Sequence, residues 1–328
     1  MHTASPRNHP PATVSVSRSE AIAMLAIGNT LWGGTYAAGK QALSCLSFAE
    51  LNAVRFSIAT LLMAPALWSG RRLIADQLRG RQSMWELARL VLLGFVLNKA
   101  FEYAGLAMST AVDVALLIAA ESLFTAVLSW TVLGERVTRS GVAALVAGGA
   151  GVYLVVARGV LPNVEGPGGA ARIIGDLLVV AALFFEAGYT ITGKASLARV
   201  PPLLLTSISV AGSLAVWIPA SAIEMAREGI PQMTAAAWLS VAYMAVFGTV
   251  AGYWMWFRAL SRVGASVAAP FLFIQPLVGA ALGVVLLGES LTLPTVAGAA
   301  LILASLAMVT AGARTSKEAA LLLPEIPD

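Results

Sequence analysis

Four ionisable residues stand in the middle of long apolar stretches: Lys99, Glu102, Glu121 and Glu186. An ionised side chain surrounded by hydrocarbon is costly, so each of these needs a partner, a water-filled cavity or a function. Lys99 and Glu102 are three residues apart, close enough for an ion pair along one helix. With Asn98 and Tyr103 beside them, they read either as a self-neutralised pair that orders the helices or as a polar surface for the amino and carboxyl groups of a substrate. Glu121 has no cation nearby in sequence and lies above Thr125 on the same helical face. Burial without a counter-ion favours the neutral form of a carboxylate, which makes Glu121 the candidate for proton coupling. The alternative is a carboxylate paired with Lys99 or hydrogen-bonded to a facing helix. Glu186 begins a stripe with Tyr189, Thr190 and Gly193 at helical spacing, and Asn29, Trp32, Gly33, Tyr36 and Lys40 form a matching stripe. Aromatic, polar and small residues together suit a cavity wall, or else close packing between helices.

The elements that carry these residues follow from composition. The chain has 328 residues, 58% hydrophobic and only 12% charged. A soluble fold must solvate its own exterior and cannot hide that much apolar surface. The apolar runs have the roughly 20-residue length that a bilayer of about 30 Å demands. Ten such spans are expected, over 20–42, 48–69, 86–106, 109–133, 138–157, 173–197, 203–225, 235–258, 265–287 and 292–312. The fold class is therefore all-α integral membrane, and alternation typical of a membrane β-barrel is missing. The net charge of +4 does not point to nucleic acid, because the basic residues lie in short loops between apolar runs. One side of the expected topology carries Arg7, Arg18, Arg71, Arg72, Arg79, Arg81, Arg89, Arg136, Arg139, Arg199, Arg258, Arg262, Arg314 and Lys317, and the other only Arg158, Arg172 and Arg227. By the positive-inside rule both termini face the cytoplasm. The single cysteine, Cys45, excludes an intramolecular disulfide and a cysteine-based zinc site, and both histidines, His2 and His9, precede the first span.

The two halves repeat at a constant shift, 193 − 39 = 154 residues. Gly39-Lys40 maps onto Gly193-Lys194, Leu43 onto Leu197, Pro65 onto Pro219, Leu133-Gly134-Glu135 onto Leu287-Gly288-Glu289 and Thr138 onto Thr292. Charged and Gly/Pro anchors stay in register without a gap. Five helices is an odd number, so the second repeat enters the membrane from the opposite side. Secondary transporters are built this way, with the substrate near the midplane between repeats. The expected units are a disordered cytoplasmic tail (1–19), a first repeat (20–157), a linker (158–172), a second repeat (173–313) and a cytoplasmic C-terminal tail (314–328). The shift pairs Glu121 with Gln275, which is isosteric but cannot ionise.

These features resemble the EamA family of the drug/metabolite transporter superfamily. The resemblance rests on Trp32-Gly33-Gly34 through Gly39-Lys40, on Arg55 early in the second span, and on the Leu-Gly-Glu-Arg run at 133–136 with its echo at 287–289. Pro276, thirteen residues before Glu289, also fits. The resemblance covers about residues 20–313 and implies a ten-helix exporter or permease working by alternating access. It further implies that helices 1–4 and 6–9 surround a central cavity, with 5 and 10 at the periphery. The sequence departs from the family's pattern at Ser122, where a proline is usual.

Other residues carry structural expectations. Pro270 and Pro276 bend the ninth helix and free backbone carbonyls, as a hinge or a static kink. Lys40 and Lys194, at helix ends, suit snorkelling and a favourable helix-dipole contact. Glu135 and Glu289 suit a structural role at the turn before Thr138 and Thr292. Trp254 and Trp256 are interface-belt anchors or cavity aromatics, and the pairs Gly248/Gly252 and Gly279/Gly283 suit close helix contacts. Small residues on helices 5 and 10 (Ala144/Gly148, Ala300/Ala304) offer faces for a dimer, so monomer and homodimer both stay open.

Taken together, the sequence points to a secondary transporter exporting amino acids, related metabolites or drugs, in a bacterial inner (plasma) membrane. The expected partners are a small-molecule substrate and membrane lipid, with no nucleic acid, no metal and no cofactor. A membrane-embedded lipid-modifying enzyme and a passive channel or uniporter are the competing classes. An enzyme needs a nucleophile–base pair or metal cluster that the spans do not supply, and no ring of like charges suggests a channel.

Overall fold

The computed structural model describes residues 17–133, 139–159, 161–164, 168–197, 199–263 and 265–321. The described residues are helical, with no strand among them. Joined end to end, the helices of the described residues make ten consecutive rods. These are α1 (Arg18–Ala42), α2 (Phe48–Leu62, continued by Ala64–Ser69), α3 (Arg81–Met108), α4 (Ala111–Ile118 and Glu121–Leu133) and α5 (Arg139–Ala157) in the first half. The second half has α6 (Gly169–Leu197), α7 (Pro202–Glu228), α8 (Ala235–Leu260), α9 (Ala265–Leu287 in three pieces) and α10 (Leu293–Leu321). A short amphipathic helix, Arg71–Arg79, links α2 to α3. By length and hydropathy five of the described helices are able to cross a membrane, and two shorter ones, Gly141–Ala157 and Leu293–Met308, are also apolar. Large apolar side chains face outward, among them Leu61 at 74% exposure and Val285 at 76%. A water-soluble monomer rarely presents such a surface, whereas lipid would cover it.

Helix ends are set by local chemistry. Ser17 and Ser47 cap α1 and α2 in capping boxes completed by Glu20 and Glu50. Thr110 and Thr234 accept from Asp113 N and Ala237 N at the starts of α4 and α8. α1 thus begins inside the expected tail, α6 begins inside the expected linker, and α10 runs on beyond 313.

Contacts between rods obey the repeat. α1 packs on α8 and α9, and their counterparts α6 and α3, α6 and α4, pack the same way. α2 meets α7, α4 meets α9, and α5 meets α10, each rod against its own repeat mate. Exchanging the halves preserves these main contacts, as a pseudo-two-fold axis requires. Close approach uses glycine: a Cβ at Gly105 of α3 would lie 2.5 Å from the Gly175 carbonyl oxygen of α6. A Cβ at Gly151 of α5 would lie 2.7 Å from the Gly298 carbonyl oxygen of α10. The expected close contacts of the other glycine pairs occur as well, Gly248 and Gly252 against α1, and Gly279 and Gly283 against α4.

Four rods are irregular where their apolar runs do not announce it. α3 and α8 contain π-helical segments, Val91–Leu97 and Met244–Ala251, which nearly superpose under the 154-residue shift. In the second, Thr249 Oγ1 donates to Met244 O, five residues back, at 3.0 Å. α4 breaks at residues 119–120 immediately before Glu121, with Ala120 N donating to Leu117 O at 2.9 Å. Its mate α9 passes from a 3-10 stretch, Ala269–Phe273, into the helix Ile274–Leu287 at the equivalent point. Pro270 sits in that 3-10 stretch and is exposed. Pro276 falls in the first turn of the following helix, where a missing N–H costs nothing, so it does not kink a helix interior.

Candidate functional site

A cavity of about 490 Å³ lies between the two halves. Its walls come from α1, α2, α3, α4, α6, α7, α8 and α9, with Leu306 as the contribution of α10. It reaches Leu197, Pro202 and Leu260 on the near face of the bundle, where α1 begins.

Of the residues singled out in the sequence, Trp32, Tyr36, Asn98, Lys99, Glu102, Glu121, Glu186, Tyr189, Thr190, Gln275 and Pro276 line it together. Asn29 does not: it is fully buried, and its Nδ2 donates to Leu25 O of its own helix at 2.8 Å. Pro270 also lies outside the lining. Lys99 Nζ and Glu102 Oε2 stand 2.5 Å apart, the self-neutralised pair. Asn98 Nδ2 donates to Ala182 O of α6 at 3.0 Å and ties the two helices together. Gln275 Nε2 donates to the Tyr36 hydroxyl, so the repeat mate of Glu121 already has a partner. Glu121 lines the cavity at the break of α4 and makes no hydrogen bond or ion pair among the described residues. Its charged neighbours are Glu186, Lys99 and Glu102, and the cation of that group is already held by Glu102.

The aromatic wall is continuous. Trp32 Nε1 donates to Gly248 O in the π segment of α8 at 2.9 Å, and its ring meets Tyr253 and Trp256 at centroid distances of 5.5 and 5.7 Å. Phe95, carried on the π segment of α3, meets Tyr189 at 5.8 Å and Tyr253 at 6.4 Å. π segments shift the register of a helix locally, and Phe95, Gly248 and Thr249, which these two carry, line the cavity. The two tryptophans of α8 part company: Trp256 lines the cavity and Trp254 is exposed on the outside.

Sequence reasoning missed Arg55. It lines the cavity at 5% exposure, between Thr249, Tyr103 and the ring of Phe56. The signal was available: a lone cation well inside a span, with no acid three or four residues away on either side.

The far face of the bundle is closed by buried charge. Asp113 of α4 pairs with Arg158 at 2.6 Å and with Arg172 at 3.4 Å, and Arg172 pairs with Asp176 at 2.5 Å. Ser109 Oγ donates to Asp176, and Arg172 Nη2 donates to Val156 O at 2.9 Å. Lys40 does not snorkel: its Nζ donates to the carbonyls of Leu106, Ala107 and Ser109, capping α3 from another helix. Glu289 accepts from Ala111 N and Val112 N, both at 2.8 Å, and so caps α4. Glu135 and the side chain of Lys194 lie outside the described residues.

The family model for "EamA-like transporter family" matches the chain twice, over residues 19–157 and 173–311. The chain belongs to the EamA-like transporter family. It is 29% identical over 289 residues to an uncharacterized transporter of Archaeoglobus fulgidus, covering 87% of this chain and 97% of that one. It is 31% identical over 213 residues to a probable amino-acid metabolite efflux pump of Salmonella typhimurium, covering 62% of this chain and 69% of the relative. A solved crystal structure shares the fold, with a TM-score of 0.59 at 21% identity over 91% of this chain and 99% of that one. The protein is thus a multi-pass membrane transporter of two EamA repeats, and both its family and its relatives are transporters.

Proposed function

We propose that this transporter is a secondary active exporter of small metabolites, amino acids or related compounds, or of drugs, working by alternating access and driven by protons. The observation that carries the reading is Glu121. It is an unpaired carboxylate beside a helix break, in a cavity that also holds Glu186. A carboxylate in that position exchanges its charge for a proton at little structural cost, because no ion pair has to be broken. The asymmetry between Glu121 and its mate Gln275 supports one proton site in a pseudo-symmetric pair. A cavity that reaches the near face, with the far face closed by ion pairs, supports one of two alternating states. The charge bias of the loops supports a cytoplasmic near face and cytoplasmic termini in a bacterial inner membrane. The printed name of the Salmonella relative supports amino-acid metabolites as the first class to test. Counterflow in proteoliposomes tests the reading: saturable exchange of labelled for unlabelled amino acid is expected, and leakage proportional to concentration contradicts a carrier.

A further inference from the structure

Arg55 is a buried cation that the preceding account does not use. Its side chain makes no ion pair with any carboxylate among the described residues, though it is only 5% exposed. Nε donates to Thr249 Oγ1 at 3.1 Å and Nη1 donates to the Tyr103 hydroxyl, both neutral groups. The guanidinium carbon lies 5.3 Å from the Phe56 ring centre and 5.6 Å from that of Tyr103. Nη2 makes no hydrogen bond among the described residues and belongs to a side chain that lines the cavity. Elsewhere this chain neutralises a buried guanidinium with its own acids, Arg158 on Asp113 at 2.6 Å and Arg172 on Asp176 at 2.5 Å. A buried charge left without an anion is expensive, and one held rigid by hydroxyls and rings is organised to receive an anion from outside.

We infer that Arg55 is the receptor for a carboxylate on the transported molecule. This assignment rests on the transport reading above and identifies the group that the cavity selects. A single-charged carboxylate fits better than a phosphate, because Glu102, Glu121 and Glu186 line the same cavity and repel a dianion. It also divides the labour within the site: Lys99 is held by Glu102, so the free cationic donor among the described lining residues is Arg55.

The test is ligand-induced thermal stabilisation of the purified full-length chain. L-leucine, L-phenylalanine and L-threonine are each compared with their own carboxamide at fixed ionic strength. At least one acid is expected to raise the unfolding midpoint while its amide does not. Arg55→Gln is expected to lose that response, with affinity falling at least about tenfold, the loss of a charge-assisted hydrogen bond. Arg55→Lys, which keeps the charge without the fork, is expected to keep the preference for acid over amide at reduced affinity. If Arg55→Gln does not fold, Arg55→Lys decides alone, and unchanged affinity in it overturns the assignment. So does a wild type that responds to no acid, or to acid and amide alike, or an Arg55→Gln protein that keeps the response. A protein that binds acids through Arg55 and gives no counterflow overturns the transport reading and leaves Arg55 as an anion site.

Discussion

The backbones of α3 and α6 meet closely at Gly105 and Gly175, and this contact makes a quantitative prediction. A methyl group on Gly105 would sit 2.5 Å from the Gly175 carbonyl oxygen, 2.7 Å from Val179 Cγ2 and 3.1 Å from Val179 N. Ordinary contact begins near 3.4 Å, so the helices must separate by 3.4 − 2.5 = 0.9 Å. The obstacle is backbone and cannot rotate away. Overpacking of this kind costs about 1–3 kcal/mol. Alanine also gains about 0.8–1 kcal/mol over glycine from helix propensity, which partly offsets it. Gly149→Ala on α5 isolates the packing part, since nothing lies within 4 Å of a Cβ there and the propensity gain is the same. Gly105→Ala is therefore expected to unfold at a lower temperature than Gly149→Ala, by the equivalent of about 1–3 kcal/mol, measured by intrinsic fluorescence in one detergent. Because Glu102 lies one turn before Gly105, the same shift moves the Lys99–Glu102 pair away from α6 and Glu186. Equal midpoints for the two variants would refute the argument that α3 and α6 are held by this contact.

Two further substitutions test the far face. Asp113→Asn leaves Arg158 and Arg172 with less than their full complement of negative charge, and the loss is expected to be about 3–5 kcal/mol, as for other broken buried pairs; removing Arg158 as well, with Arg158→Gln, is expected to recover part of the thermal midpoint. Glu289→Gln keeps the size of the side chain but leaves one acceptor oxygen for the two donors Ala111 N and Val112 N and removes the charge, with an expected cost of about 0.5–2 kcal/mol in thermal unfolding.

Patterns that repeat along the chain were legible in the sequence, while contacts between distant segments were not. The 154-residue shift, the spans and the stripe of Trp32, Tyr36, Glu186, Tyr189 and Thr190 depend on periodicity, and the structure gathers those residues around one cavity. Asn29 lies on the same stripe of α1 and is nevertheless buried away from it, because periodicity assigns a face and not a depth. The break in α4 has no proline to announce it; Ser122 stands where its mate is Pro276. Lys40 ends on the carbonyls of α3 rather than at an interface, a partner choice that only the packing of α1 on α3 reveals. Of the small residues on α5, Gly148 is used inside the chain, against Leu123 and Ser305, a packing partner that composition does not reveal. Arg55 belongs to a family motif in the sequence, and its isolation in the second span is the one sequence sign of its place in the cavity wall.

Everything in the functional account turns on Glu121 as the site where a proton is exchanged. The decisive measurement is amino-acid counterflow in proteoliposomes with and without an imposed pH gradient, for the wild type and for Glu121→Gln. The gradient is expected to accelerate wild-type uptake against the concentration difference. Glu121→Gln, folded and still exchanging, is expected to show no response to the gradient. Gradient-driven accumulation that survives intact in Glu121→Gln would contradict that role for Glu121.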